Sequence, residues 1–204
     1  MSRIRALRIG LWSLVAIAAV GSVLLATGIV SVNRMTPIPT GAAVEIGGRF
    51  SLTDHRGNAF TDEDVHGRPF AVFFGFTHCP DICPTTLFEL TDRLKTLGAE
   101  AAPLAVLFVT VDPERDTADV MGEYVSAFDP RIVGLTGSLA EIDSVAKTFR
   151  AFYRKVPTGG EDYTMDHTAV VYLMGRDGRF VSTLDPHESE EIQLQKLRRL
   201  LRSS

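Results

Sequence analysis

Two apolar runs of strand length, Phe70 to Phe76 and Leu104 to Val111, limit what this chain can fold into more than any other feature. A strand with one face in water alternates apolar and polar side chains, whereas one buried on both faces reads as a continuous run. Between the two runs, Leu87, Leu90, Leu94 and Leu97 recur at helical spacing, with Pro84 suited to the first turn and Gly98 to the C-terminal cap. The result is a strand, helix, strand unit whose sheet must be covered on both sides.

The flanking segments extend this unit. Phe50 and Leu52 alternate with polar neighbours before the turn Asp54-His55-Arg56-Gly57-Asn58, and Phe60 resumes beyond it, which predicts a peripheral hairpin. Helices are expected over Thr117 to Phe128 and over Ser138 to Phe149, the second opened by a capping box of Ser138 and Glu141, with a short strand at Val133 and Leu135 between them. Thr168 to Met174 and Phe180 to Leu184 flank an Asp-Gly turn and read as a hairpin. A last helix spans about Glu188 to Arg202, its acids in the first turn and its arginines in the last. This order fits an α/β fold of the thioredoxin-like kind, a mixed β-sheet with helices on both faces.

Ahead of that domain, no residue from Ile9 to Val32 is charged. The segment exceeds the roughly 20 residues that cross a hydrocarbon core, and Arg3, Arg5 and Arg8 would hold the short N-terminal side in the cytoplasm. A cleaved signal peptide shares the basic start, but its apolar region is usually 7 to 15 residues long. Only eight residues precede the span, too few for a mitochondrial presequence. The expected organisation is a cytoplasmic N-terminus (1–8), one N-terminal transmembrane helix (9–32), a linker with Pro37, Pro39 and Gly41 (33–43) and a soluble domain (44–204). In a bacterial inner membrane that domain would face the periplasm.

After Arg8 the chain carries 18 basic side chains against 25 acidic ones, which argues against a nucleic-acid partner. Its two cysteines are too few for a stapled mini-protein, so their position matters more than their number. Cys79 and Cys83 both fall where the first buried run gives way to the helix, within Gly75-Phe76-Thr77-His78-Cys79-Pro80-Asp81-Ile82-Cys83-Pro84. A helix N-terminus lowers thiol pKa and favours nucleophilic attack or metal binding.

Three readings of the pair stand side by side. A structural disulfide would close a very short loop and stabilise little. A dithiol oxidoreductase fits the location, although thioredoxin-type motifs carry two intervening residues and this one carries Pro80, Asp81 and Ile82. Copper fits best, because soft thiolates select Cu(I) and leave room for a third ligand. Among the five histidines, His55, His66 and His187 sit in turns or at a helix start, and His78 follows a strand on the face opposite its neighbour Cys79. His167 ends the polar stretch Pro157 to Asp166, which reads as a mobile loop because of Gly159 and Gly160, and opens an apolar strand. It is either a polar strand-edge residue or the ligand that the loop brings to the sulfurs.

The stretch from Gly75 to Pro84, then Val111-Asp112-Pro113-Glu114-Arg115-Asp116-Thr117, then Asp166-His167-Thr168, together resemble the Sco/SenC family of copper chaperones over roughly Ile46 to Leu184. That resemblance implies one copper ion per domain, Cu(I) or Cu(II), held by Cys79, Cys83 and His167. It also implies a role in delivering copper to, or reducing the cysteines of, the copper-binding subunit of cytochrome c oxidase. A further copper chaperone or a thiol reductant would supply this chain, and in the reductase role Cys79 and Cys83 would be the redox-active thiols. The acids of Asp112 to Thr117 are hard donors, poorly matched to Cu(I), so a structural role is expected for them, with Asp116 or Thr117 capping the next helix. A peroxiredoxin-type threonine three residues before a cysteine is missing, as Phe76 and Pro80 hold those places.

Overall fold

The computed structural model describes residues 45–160 and 162–202, together with 12–14, 16–20 and 22. It divides into two units, Met1–Val44 and Glu45–Ser204. The anchor read over 9–32 and the linker over 33–43 lie outside the described residues, apart from the few N-terminal ones named, which are helical. Among the described residues no helix is long and apolar enough to cross a membrane.

In the second unit, β1 (Ser51–Asp54) and β2 (Ala59–Thr61) form the expected hairpin. The two apolar runs become β3 (Phe70–Gly75) and β4 (Ala105–Thr110), parallel neighbours with every residue buried. Between them α1 runs from Ile82 to Leu97, and Gly98 closes it at φ 54°, its N–H donating to the Leu94 and Lys95 carbonyls. Then follow α2 (Ala118–Val125), β5 (Ile132–Thr136) and α3 (Leu139–Thr148). The Thr117 hydroxyl caps α2, and Ser138 and Glu141 form the capping box of α3, as their sequence requires.

After α3 come β6 (Tyr153–Gly159), β7 (Asp162–His167), β8 (Val171–Met174), β9 (Phe180–Leu184) and α4 (Glu190–Arg202). The main sheet has the order β2-β1-β5-β4-β3-β8-β9, parallel across β3, β4 and β5 and antiparallel at both flanks. Phe73, Phe74, Leu107 and Phe108 at its centre are fully buried. Burying such side chains contributes about 1.5–3 kcal/mol each, so β3 and β4 anchor everything attached to their C-terminal ends.

Two expectations need correction. Pro157 to Asp166 is not a loop, because β6 and β7 pair as an antiparallel hairpin with Tyr153 opposite His167. Gly159 and Gly160, at φ 121° and 62°, form its turn, and Met165 is buried while most of β6 stays exposed. His167 therefore ends β7 instead of opening β8, which starts only at Val171. Cys83 lies inside the first turn of α1, where Pro84 is tolerated because its missing N–H would have had no helical partner.

Candidate metal centre

Three elements converge at the C-terminal end of β3. The loop after β3 carries Cys79, the first turn of α1 carries Cys83, and the end of β7 carries His167. Their donor atoms all lie within 4.8 Å of one another. The Cys83 sulfur is 3.5 Å from His167 Nε2. His167 Nδ1 lies 3.0 Å from the Thr168 carbonyl, a pure acceptor, so Nδ1 carries the proton and Nε2 presents its lone pair to the sulfurs. The imidazole packs T-shaped against Phe76 and Phe73 at centroid distances of 5.8 and 6.2 Å, which restrains the ring plane.

Of the other histidines, His78 is exposed, lies 3.1 Å from the Thr77 hydroxyl and 3.9 Å from the Asp116 carboxylate, and stays outside the cluster. His55 accepts from the Gly134 N–H, a structural contact in the β1 turn. His66 and His187 are exposed.

The cysteines are free thiols in unlike surroundings, Cys79 half-buried and Cys83 fully buried. The Cys83 N–H donates to the Cys79 sulfur at 3.4 Å, so this sulfur occupies the place of a cap on α1, whose N-cap residue Asp81 provides no side-chain cap. The Cys83 thiol also donates to the Cys79 sulfur, and this bond is the largest influence on both groups. It pulls Cys79 down to about 4 against the opposing effect of burial, with the backbone of Asp81 and Cys83 helping. The same bond, with burial added, pushes Cys83 up. The shared proton is thus drawn to Cys83, and thiolate character to Cys79.

A depressed acid is ionised throughout the neutral range. In the reduced, metal-free protein, iodoacetamide should therefore modify Cys79 first, at a rate nearly flat between about pH 6 and 8, where a thiol of pKa about 8.5 accelerates roughly 80-fold. Peptide mapping checks this, and initial labelling of Cys83 would reverse the assignment.

The Asp112 to Thr117 stretch has a role that sequence reasoning missed. Asp116 is fully buried and accepts from the Thr77 N–H (3.0 Å), the Thr77 hydroxyl (2.6 Å) and the Thr110 hydroxyl (2.6 Å), tying the cysteine loop to the end of β4. Asp112, equally buried, accepts from Arg115 and from the Tyr163 hydroxyl (2.8 Å) on β7. Arg115 lies 3.8 Å from the Tyr163 ring centroid and donates to the Tyr163 carbonyl at 3.1 Å, while Lys155 of β6 pairs with Glu114. One short segment thereby holds the cysteine loop with one acid and the histidine hairpin with the other. Its acids do not join the cluster, in line with the expectation that they are structural. Tyr163 has no spacing signal in the sequence. Gly75 was also missed: a Cβ there would lie 2.9 Å from the Cys83 sulfur and 2.7 Å from the Phe108 ring, so only glycine lets α1 close on β3.

A family model described as SCO1/SenC matches residues 39–202. The chain belongs to the SCO1/SenC family. Protein SCO1 homolog, mitochondrial, of Mus musculus is 45% identical over 139 residues, which make up 67% of this chain and 49% of the mouse protein. The chain thus spans about half the length of the curated relatives it first matches. Among solved structures, Bradyrhizobium japonicum ScoI with copper bound is 50% identical, with a TM-score of 0.71, and the match covers 76% of this chain and 99% of that one. BsSco, described as a Sco-family cytochrome c oxidase assembly protein with a disulfide switch, is 25% identical at a TM-score of 0.63, covering 79% of this chain and 96% of its own. The mixed α/β thioredoxin-like fold expected from the sequence is therefore the Sco fold.

Proposed function

We propose that this SCO1/SenC protein carries one copper ion between Cys79, Cys83 and His167 and passes it to the dinuclear copper centre of cytochrome c oxidase. The observation that carries the reading is the donor set: two soft sulfurs and one imidazole nitrogen within 4.8 Å, with the imidazole lone pair turned to the sulfurs. Thiolates suit Cu(I), and an added imidazole suits Cu(II) as well. Copper is the cargo. Cys79 is the less buried of the two cysteines, so an incoming donor from the recipient would meet it first, and the ion would leave by stepwise ligand exchange without unfolding the site. Copper bound in Bradyrhizobium ScoI and the oxidase-assembly description of BsSco support the same reading.

The electrostatics favour a second reading on the same residues. The Cys79 thiolate would attack a disulfide in the oxidase copper-binding subunit, releasing one thiolate and forming a mixed disulfide. The Cys83 thiol, losing its proton, would then attack Cys79, closing a Cys79–Cys83 disulfide and freeing the second recipient thiol. Two electrons pass from this chain to the recipient. A thiol reductant would then restore this chain, and another copper chaperone would load it. The wider topology proposed is a 9–32 anchor in a bacterial inner membrane, residues 1–8 cytoplasmic, and the 44–204 domain in the periplasm after a 33–43 linker.

The deciding experiment offers the oxidase subunit in two forms. With its cysteines already reduced and metal-free, copper-loaded protein should restore the dinuclear centre's absorption, and metal-free protein should not. With its cysteines oxidised, metal-free reduced protein plus free Cu(I) restoring the centre would assign the reductase role instead.

A further inference from the structure

The SCO1/SenC site occupies one end of the sheet, and the other end carries a feature it does not use. β3 runs antiparallel to β8 with Phe70 opposite Met174, so the β8–β9 turn lies at the end of β3 away from Gly75 and the cysteines. At about 3.3 Å per residue the strand separates the two ends by about 17 Å. Around that turn a shallow depression of about 550 Å³ is lined by Arg176, Arg179 and Arg199, with Phe180 and Val181 between them. Phe180 and Val181 are 38% and 40% exposed on β9, the edge strand of the sheet. The Gly67 N–H donates to the Arg176 carbonyl at 3.0 Å, which places the exposed Arg68 beside the same turn. Asp177, 3.8 Å from Arg179, is the acid in the depression. This basic, apolar patch stands on a chain whose acids outnumber its bases.

The chain also enters its globular unit here. A Cβ on Gly47 would lie 2.4 Å from the Met174 side chain and 3.2 Å from the Gly178 carbonyl, so the segment just after Glu45 runs against the β8–β9 turn. Gly47, near the start of this unit, thus lies at the patch end of the sheet. Guanidinium groups match phosphates in charge and geometry, and an aromatic ring flanked by arginines suits the boundary between headgroups and acyl chains.

We propose that Arg68, Arg176, Arg179 and Arg199, with Phe180 and Val181, seat the globular unit on an anionic phospholipid surface, with the cysteine end of the sheet turned away from it. From the anchoring reading the proposal takes only that a bilayer lies within reach. Seating would leave Cys79 presented outward to a recipient's soluble domain, so the patch would set the height and direction from which copper is offered.

The test uses the full chain with vesicles of phosphatidylcholine alone or with about one third phosphatidylglycerol, reading flotation and amide exchange of residues 176–181. Each basic side chain near an anionic surface contributes about fivefold to binding, so Arg68 and Arg176 alone should slow exchange about tenfold or more in the anionic vesicles. The slowing should vanish in neutral vesicles and in about 0.5 M salt, where the screening length falls to about 4 Å. Combined R176E, R179E and R199E should abolish it while Cys79 labelling is unchanged; the salt arm decides the matter should that variant fail to fold. Flotation with neutral vesicles reads the anchor alone, so its loss would count against the anchor and not against the patch. No slowing in anionic vesicles, or equal slowing in neutral ones, overturns the proposal. So does slowing by polyglutamate in place of lipid, which assigns an acidic protein face, or slowing that depends on protein concentration without lipid, which assigns a second copy on the β9 edge.

Discussion

Oxidation of Cys79 and Cys83 to a disulfide should abolish tight Cu(I) binding, and reduction should restore it in full. The cause is chemical: thiolate is the ligand, and a disulfide provides neither its charge nor an adequate donor. Loss of an orienting partner takes about 10- to 100-fold from a metal site's affinity, and here two of the three proposed donors are lost, so the fall should exceed that range. Competition against a Cu(I) chelator on oxidised, reduced and re-reduced protein measures it. Cys79→Ser and Cys83→Ser should each reproduce most of the loss, the first by removing the thiolate that caps α1, the second by removing the buried donor nearest His167. Equal uptake by the oxidised and reduced protein would place the copper site elsewhere. Because the same sulfurs serve both readings, oxidised chain would be inert as a chaperone and already spent as a reductant. Redox state is thus a single control over both.

The parts of this arrangement that were legible in sequence are those where one physical signal dominates. β3 and β4 announce themselves because two-sided burial admits no polar alternation, and α1 because leucines at three- and four-residue steps leave one buried face. Thr117 and Ser138 mark helix starts by the chemistry of orphan N–H groups. The β6–β7 hairpin carried no such signal. Only one of its faces meets the core, through Tyr153, Tyr163 and Met165, it pairs only with itself, and Pro157 with the two glycines reads as a breaker. What stabilises it is tertiary: Tyr163 on Asp112 and Arg115, and Lys155 on Glu114, contacts 41 to 51 residues apart in the chain. For the same reason the sequence names Cys79, Cys83 and His167 as candidates but not the means by which they meet. Cys83 reaches the site from inside α1 only because Gly75 has no side chain, a requirement that a glycine ending an apolar run does not reveal.

His167→Ala should weaken Cu(II) binding by about 100-fold or more and Cu(I) binding by less than about tenfold, since Cu(I) tolerates few soft ligands while Cu(II) prefers more and takes imidazole well. Thiolate-to-Cu(II) charge-transfer absorption should collapse or shift, and Cu(I) competition should move little. Tyr163 separates ligation from positioning. Tyr163→Phe removes the hydrogen bond to Asp112 but keeps the ring against Arg115 and Lys155, so it should preserve the absorption band at slightly lower affinity. Tyr163→Leu removes ring and hydroxyl together, freeing β7 from the Asp112 segment, and should broaden the band and speed amide exchange through Asp162 to His167. A sequence reading of the hairpin as a mobile loop implies that copper alone orders it; the Tyr163 contacts imply that it is ordered before the metal arrives, so copper should add little protection to wild type and much to Tyr163→Leu. If His167→Ala leaves both copper states as they were, the third donor has been misassigned, and His78, next to Cys79 and 3.9 Å from Asp116, becomes the candidate to replace next.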